Sequence, residues 1–207
     1  MRLVTAPEMS SVALGAAVVA MSVFASAQGR GGRPASPAGT SAAHVAGKWI
    51  DISYGRPIKR ARDVFGSGAD YGKITHTDGA TVWRAGANVT TRLKTEAPLV
   101  FNVDGGKTVP AGEYSVFIDV ASPTKWTFIL SNWAAQTKYD PSNKEALWGS
   151  FGYTPDKDVV RVPMKVDTLP FSIEEMSWEF VDVTADGGKL AVMWDKTMAS
   201  VGFKLGS

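Results

Sequence analysis

The 207-residue chain contains no cysteine and only two histidines. The lack of cysteine excludes disulfide bonds, thiolate metal sites and a cysteine nucleophile, and it also excludes lipid attachment at an N-terminal cysteine. Stability must therefore come from a hydrophobic core. Zinc prefers three or four nitrogen or sulfur ligands, which two histidines do not supply. We therefore expect no metal and no cofactor.

Two histidines also leave little scope for a Ser-His-Asp hydrolase. His44 lies beside a low-complexity segment, and His76 lies in a polar loop near Asp78. The Gly-x-Ser-x-Gly motif of such enzymes is missing, because Gly66-Ser67-Gly68 has the wrong spacing. We interpret His76 as a solvated loop residue rather than a catalytic base.

The chain has no large excess of charge of either sign. It holds 22 Lys and Arg against 20 Asp and Glu, a formal net charge of +2. This near balance predicts no polyanionic partner, and in particular no nucleic acid.

One apolar run, at residues 11–24, is short for a membrane-spanning helix. It ends in Ala25-Ser26-Ala27, the kind of small residues that precede a signal-peptide cleavage site. We therefore predict a secretory signal at residues 1–27, a periplasmic or extracellular location, and no membrane insertion after cleavage. An uncleaved N-terminal anchor is the alternative.

Residues 28–43 are mainly Gly, Pro, Ala and Ser. Such a segment buries too little apolar surface to offset the entropy lost on ordering. We predict a flexible tether at 28–43, followed by a single β domain at 44–207.

From Lys48 onward, short runs of alternating apolar residues are separated by turn residues, as is typical of an all-β domain. The clearest run is 113–120, in which Tyr114, Val116 and Ile118 share one face. The predicted strands are 48–54, 81–85, 89–94, 99–103, 113–120, 125–132, 159–166, 172–183, 189–195 and 199–205. This number of strands fits an antiparallel β-sandwich or jelly roll.

Turn residues connect several of these strands. Ser122-Pro123, Asp104-Gly105-Gly106 and Asp186-Gly187-Gly188 all favour tight hairpin turns. Pro163 has no N–H to donate, so we expect the strand at 159–166 to lie at a sheet edge or to carry a bulge.

Carboxylates on the strand at 172–183 raise the possibility of a glycosidase-like mechanism, which needs two of them at a defined separation. Alternation divides them, since Glu175 and Glu179 share one face while Glu174 and Asp182 share the other. A carboxylate-dependent hydrolase is therefore one alternative, and ordinary strand charges are the other.

The chain holds seven tryptophans. Trp126, Trp178 and Trp194 are in phase with aliphatic neighbours, so we predict that they pack in the core. Trp133 and Trp148 flank the polar loop at 134–146, which makes them candidates for a platform that stacks on a ligand such as a sugar.

Residues 56–62 hold four basic side chains directly after a predicted strand. Guanidinium groups bind carboxylate or phosphate through paired hydrogen bonds, and Arg84 follows on a later predicted strand. This segment could therefore hold an anion, and a solvated basic loop is the alternative.

Short motifs in a defined order resemble the DUF2911 family of exported bacterial proteins of unknown function. The resemblance covers nearly all of the chain from Lys48 to Leu205. The motifs are Tyr54, Arg56-Pro57, Arg62, Phe65-Gly66, Tyr71-Gly72, Trp83-Arg84, Gly86-Ala87-Asn88, Pro110-Ala111-Gly112, Tyr114-Ser115, Trp126, Asn132, Trp148-Gly149, Tyr153, Asp158 and Arg161-Val162.

The chain departs from the family pattern at three places. Ala61 replaces a usual Gly, Asp70 replaces a usual Pro, and the segment at about 74–81 looks inserted. His76 lies in that segment, so the resemblance implies no role for it.

The family motifs specify several polar residues, and a fold seldom needs three specified arginines for packing alone. With the aromatic candidates, the proposed ligand-binding residues are Tyr54, Arg56, Arg62, Trp83, Arg84, Asn88, Trp133 and Trp148. We hypothesise that some converge on a pocket that binds a small anionic or glycan ligand without catalysis. The alternatives are that they tie loops to the sheet, or that the protein is an envelope scaffold that contacts other proteins. The sequence leaves the oligomeric state open.

Overall fold

The computed structural model describes residues 35–76, 79–101 and 106–206. The predicted signal at residues 1–27 and the first part of the predicted tether lie outside these ranges.

The described ranges contain eleven β-strands and several short 3-10 segments, and no residue in them is α-helical. The strands are β1 (Ala38–Val45), β2 (Lys48–Gly55), β3 (Thr91–Thr95), β4 (Leu99–Phe101), β5 (Lys107–Val109), β6 (Gly112–Ser122), β7 (Lys125–Ser131), β8 (Ala134–Ala135), β9 (Ala146–Leu147), β10 (Asp158–Val181) and β11 (Gly187–Leu205). The all-β prediction is confirmed. A helix long and apolar enough to cross a membrane is not found in this part of the chain.

Nine strands form one antiparallel sheet in the order β1-β2-β3-β6-β7-β10-β11-β4-β5, while β8 and β9 form a small parallel pair. The long strand β10 connects the two halves of the large sheet, because it pairs with β7 up to Met164 and with β11 from Lys165 onward. The halves pack against each other, since the ring centroids of Phe101 on β4 and Phe128 on β7 are 5.7 Å apart.

Both faces of β6 are buried over part of its length. The predicted core face is confirmed, because Tyr114, Val116 and Ile118 lie in the main core. Phe117, on the opposite face, belongs to a second apolar cluster with Trp133 and other residues of the segment that follows β7. The second face of the sheet is therefore covered by a loop, which alternation within β6 alone did not predict.

Four of the predicted strands are in fact two. The runs at 159–166 and 172–183 are continuous in β10, and those at 189–195 and 199–205 are continuous in β11. The predicted hairpin turn between them is confirmed, because Val181 pairs with Lys189. The turn at Ser122-Pro123 is confirmed by the pairing of Ser122 with Lys125. The predicted turn at 104–106 is only partly described, because residues 104 and 105 lie outside the described ranges.

The edge alternative for Pro163 is wrong, because β10 lies between β7 and β11. The strand is irregular instead, with a shift in its register to β7 between Asp158 and Val160. Pro163 pairs with Thr127 of β7 and precedes the first residue in register with β11, which is Lys165.

Two further predictions are corrected. Residues 38–43, placed in the tether, form most of β1, which pairs with β2 from Ala38 to Val45. Small residues are sufficient there because a ladder is made by backbone groups. Residues 81–85 are not a strand, since Trp83 forms a single bridge to Ile118 and the positive φ of Ala85 (51°) ends the extended backbone.

We expect Phe128→Ala to lower the free energy of unfolding by about 3–5 kcal/mol, because the side chain is fully buried between the two halves of the sheet. Phe171→Ala is a matched control, because Phe171 on β10 is 59% exposed, and its loss should stay below about 0.5 kcal/mol. Urea unfolding of both variants measures the difference. Similar losses in the two would contradict this account of the core.

Candidate functional site

A cavity of about 260 Å³ lies where the segment after β2 meets the segment before β3. Four of the eight proposed ligand-binding residues line it, together with Trp194. The four are Arg62, Trp83, Arg84 and Asn88. Side chains that are distant in the sequence thus converge on one pocket, which we call the arginine pocket.

Aromatic rings form one wall of the arginine pocket. The rings of Trp83 and Trp194 are stacked, with centroids 6.1 Å apart and planes inclined by 16°. Phe65 packs edge-on against both at 6.0 Å. Trp194 was predicted to pack in the core, and it does so, but it also faces the pocket. Alternation identifies a buried face without revealing that a cavity adjoins it.

The segment from Trp83 to Asn88, which we call the motif segment, is attached to the sheet through its backbone. Trp83 and Ile118 exchange two hydrogen bonds, of 2.7 and 2.9 Å. The carbonyl of Ala85 accepts the indole N–H of Trp178 at 2.9 Å and the hydroxyl of Thr91 at 3.2 Å. These bonds set the position of the neighbouring Arg84.

Two glycines allow this segment to lie close to β2. The N–H of Ala87 donates to the carbonyl of Gly55 at 3.1 Å. A Cβ at Gly55 would lie 2.0 Å from the carbonyl oxygen of Ala87, and a Cβ at Gly86 would lie 2.8 Å from the hydroxyl of Thr91. Side chains at either position would separate the segment from the sheet. The role of Gly86 in the Gly-Ala-Asn motif is therefore close backbone packing.

The guanidinium of Arg84 lies between the motif segment and the turn at Gly149. Its Nη1 donates to the carbonyl of Asn88 at 3.0 Å. A Cβ at Gly149 would lie only 2.5 Å from the same nitrogen, so this glycine leaves room for the guanidinium. The hydroxyl of Thr90 donates to the carbonyl of Gly149 at 2.8 Å, which holds the turn in place.

Arg62 reaches the pocket from residues 56–62, which we call the basic segment. Its Nε donates to the carbonyl of Lys59 at 2.9 Å and its Nη2 to that of Ile58 at 2.6 Å. The guanidinium carbon lies 5.9 Å from the ring centroid of Trp194, within the range of a cation–π contact. Its Nη1 makes no hydrogen bond to any described residue.

The basic segment is docked on an irregular part of β10. The register between β10 and β11 shifts on both sides of Ile173. Near this irregularity, the backbone of β10 bonds to the basic segment instead, with Lys59 N–H to Glu174 O at 2.7 Å and Met176 N–H to Pro57 O at 3.0 Å. A bulge thus redirects strand hydrogen bonds to the loop that carries Arg62.

Acidic side chains reinforce this docking. The Nζ of Lys59 lies 2.6 Å from Oδ1 of Asp195. Nη2 of Arg56 lies 3.6 Å from Oε2 of Glu175. A carboxylate oxygen of Glu174 accepts the backbone N–H of Arg60 at 2.7 Å. Burial tends to raise the pKa of Asp195, but its hydrogen bonds to Lys59 and Ser172 outweigh this and hold the pKa below its ordinary value.

The other four proposed ligand-binding residues lie outside the arginine pocket, and one of them is Arg56, which pairs with Glu175. Tyr54 is buried and its hydroxyl accepts the backbone N–H of Trp178 at 3.0 Å. Trp133 is only 8% exposed and donates its indole N–H to the carbonyl of Thr154, so the prediction that it is a ligand platform is wrong. Trp148 is partly exposed and packs 6.1 Å from Tyr139.

Tyr153, Asp158 and Arg161 form a separate polar cluster. The hydroxyl of Tyr153 donates to Oδ2 of Asp158 at 2.6 Å, and Arg161 donates to the same oxygen at 2.9 Å. Burial and the bond to Asp158 raise the pKa of Tyr153 far above its ordinary value. The cluster ties the segment after β9 to β10, which gives these motif residues a structural role.

The described residues contain no group of three His, Asp or Glu side chains that could hold a metal ion. Two arginines and two tryptophans line the arginine pocket, which belongs to an all-β domain.

A comparison with models of protein families identifies the family of the chain. A family model described as "Protein of unknown function (DUF2911)" matches residues 36–203. The chain therefore belongs to the DUF2911 family, which confirms the resemblance seen in its motifs. Comparisons with curated proteins and with solved structures found no match.

His76 should make stability depend on pH in the neutral range. The interpretation of His76 as a solvated loop residue is wrong, because the side chain is partly buried. Burial lowers its pKa below the ordinary 6.5, and the charge of Asp119 offsets this only in part. The unfolded chain therefore binds a proton more readily than the folded one, so stability is full above pH 6.5 and falls as the pH decreases. We expect His76→Asn to remove this loss between pH 7.5 and 5.5, measured by urea unfolding. His44→Asn, at an exposed position, should retain it; equal behaviour of the two variants would refute the assignment.

Gly149→Ala should cost more than its backbone conformation alone explains. A left-handed φ (63°) costs a non-glycine residue about 1–2 kcal/mol. Gly47→Ala is the matched control, because Gly47 has φ of 78° and open space around its Cβ position. We expect a larger loss of unfolding free energy for Gly149→Ala, and we expect the excess to disappear in an Arg84→Ala background. An excess that persists there would mean that Arg84 is not the group displaced.

Proposed function

We propose that the arginine pocket binds a small anionic ligand, such as a carboxylate or a phosphate, without catalysing a reaction. The observation that carries the proposal is the convergence of Arg62 and Arg84 on one cavity. Both side chains are guanidinium groups, so the pocket offers several N–H donors to a ligand.

The chemistry of the two side chains supports an anion. A guanidinium can donate two parallel hydrogen bonds to a carboxylate or phosphate. Arg62 is oriented by two carbonyl groups and Arg84 by the carbonyl of Asn88. Side chains that are already oriented lose less conformational entropy when a ligand binds. The adjoining indole rings of Trp83 and Trp194 exclude water on one side, which strengthens electrostatic attraction.

The size of the pocket favours a small ligand. Its volume of about 260 Å³ is near the lower end of the range for small-molecule sites, roughly 300–1,000 Å³. We infer a compact organic acid or a phosphate rather than a polymer. If the predicted signal at residues 1–27 operates, binding takes place outside the cytoplasm.

Binding is favoured over carboxylate-dependent hydrolysis, which was the alternative. Glu174 and Glu175 contact the basic segment, and Asp182 pairs with Lys189 at 2.7 Å. These contacts give three of the four candidate carboxylates roles in holding loops and turns.

Arg84→Ala should weaken binding of phosphate or succinate at least tenfold, because it removes one of the two guanidinium groups. Arg84→Lys should give partial rescue, since it retains the charge but loses the paired hydrogen bonds. Isothermal titration at low ionic strength measures the affinities. The control is Arg60→Ala, which removes a guanidinium that contacts the carbonyl of Ala35 and does not line the pocket.

Arg60→Ala should leave the affinity unchanged, and glucose should not compete for the site. The proposal fails if neither anion binds, or if Arg60→Ala and Arg84→Ala weaken binding equally. Thermal unfolding of each variant separates a loss of binding from a loss of fold.

A further inference from the structure

The segment from Gln136 to Gly152, which we call the aromatic loop, exposes two large aromatic side chains. Tyr139 is 52% exposed and Phe151 is 45% exposed. Neither belongs to the arginine pocket. Both rings line the same cleft, and a contiguous exposed apolar surface is the feature that marks a ligand-binding groove.

These rings line a cavity of their own. A cleft of about 320 Å³ lies between Tyr139 and Phe151, with Asp140, Asn143 and Lys144 among its polar residues. Tyr139, Asp140 and Asn143 also line an adjoining cleft of about 500 Å³. Tyr139 is therefore common to two neighbouring clefts, which together give an extended binding surface.

The aromatic loop is held in shape by Gln136, whose side chain is almost fully buried. Its amide nitrogen lies within hydrogen-bond distance of the carbonyls of Asp140, Asn143 and Ala146, and its amide oxygen accepts the N–H of Asp140 at 2.8 Å. The hydroxyl oxygen of Thr90 also lies 3.0 Å from the carbonyl oxygen of Leu147. The clefts are thus built on an ordered backbone, which lowers the entropic cost of binding.

Polar atoms at the clefts remain for a ligand. Oδ1 of Asp140 accepts both the N–H and the hydroxyl of Ser142, and the residue is exposed to solvent. Oδ1 of Asn143 accepts the N–H groups of Glu145 and Ala146, and its Nδ2 has no partner among the residues described. The hydrogen bonds from Ser142 lower the pKa of Asp140, so its carboxylate is ionised at neutral pH.

We propose that the aromatic loop binds a neutral carbohydrate chain, with sugar rings on Tyr139 and Phe151 and hydroxyl groups bonded to Asp140 and Asn143. A sugar ring has an apolar C–H face that packs on an aromatic ring and a rim of hydroxyls that both donate and accept. A carboxylate acceptor beside an amide donor suits neighbouring hydroxyls of this kind. The adjoining clefts suit two or more linked sugar units.

This site is independent of the proposed anion pocket. The anion pocket depends on guanidinium groups beside buried indoles, whereas the clefts of the aromatic loop offer exposed rings together with Asp140, Lys138 and Lys144. Trp148 was a candidate platform at the sequence level, and it packs behind Tyr139 at 6.1 Å. Its fluorescence can therefore report ligand binding at this site.

The test is a fluorescence titration of the full chain with cellohexaose, chitohexaose, maltohexaose and xylohexaose. We expect saturable binding of at least one of them, weakened at least tenfold by Tyr139→Ala and by Asp140→Asn. Tyr139→Phe should retain most of the affinity, since the ring is kept. Phe171→Ala is the matched control, because it removes an aromatic ring of similar exposure on β10.

The outcomes separate the two sites. Arg84→Ala should leave oligosaccharide binding unchanged, and Tyr139→Ala should leave phosphate binding unchanged. If none of the four oligosaccharides binds, or if Phe171→Ala weakens binding as much as Tyr139→Ala, the carbohydrate site is disproved. Thermal unfolding confirms that Tyr139→Ala is folded.

Discussion

The hydrogen bond from the buried indole of Trp178 to the carbonyl of Ala85 joins the motif segment to the core of the sheet. Both groups are out of contact with water, so each would be costly to leave unpaired. The bond holds the segment in place between Trp83, which bridges to β6, and Asn88, whose carbonyl orients Arg84. The shape of the arginine pocket therefore depends on a contact in the core beneath it.

Irregularities in the strands have a second, related effect. Where β10 departs from its register with β11, its backbone bonds to the basic segment, and Asp195 on β11 pairs with Lys59. The loop that carries Arg62 is thereby attached at several points. Regular strands would satisfy each other and leave no backbone groups for the loop, so the bulge and the pocket belong to one arrangement.

The hairpins were predictable because turn chemistry is local. Ser122-Pro123 and the glycines after Asp186 specify turns through their own backbone preferences, and alternation in β6 identified its core face. β1 was missed because its residues are small and its ladder is made by backbone groups with β2. Trp133 was misjudged because the residues that bury it come from distant parts of the chain, such as Val82 and Tyr153.

The amino-acid sequence by itself determined the all-β class, the absence of disulfides, the family motifs and the supply of arginines near one strand end. Only the tertiary structure decided that Arg62 and Arg84 reach one cavity while Arg56 pairs with Glu175, and that Tyr139 rather than Trp133 is exposed. Composition and alternation report on neighbours along the chain. The direction of a loop side chain depends instead on contacts with residues far away in sequence, such as those between β10 and the basic segment.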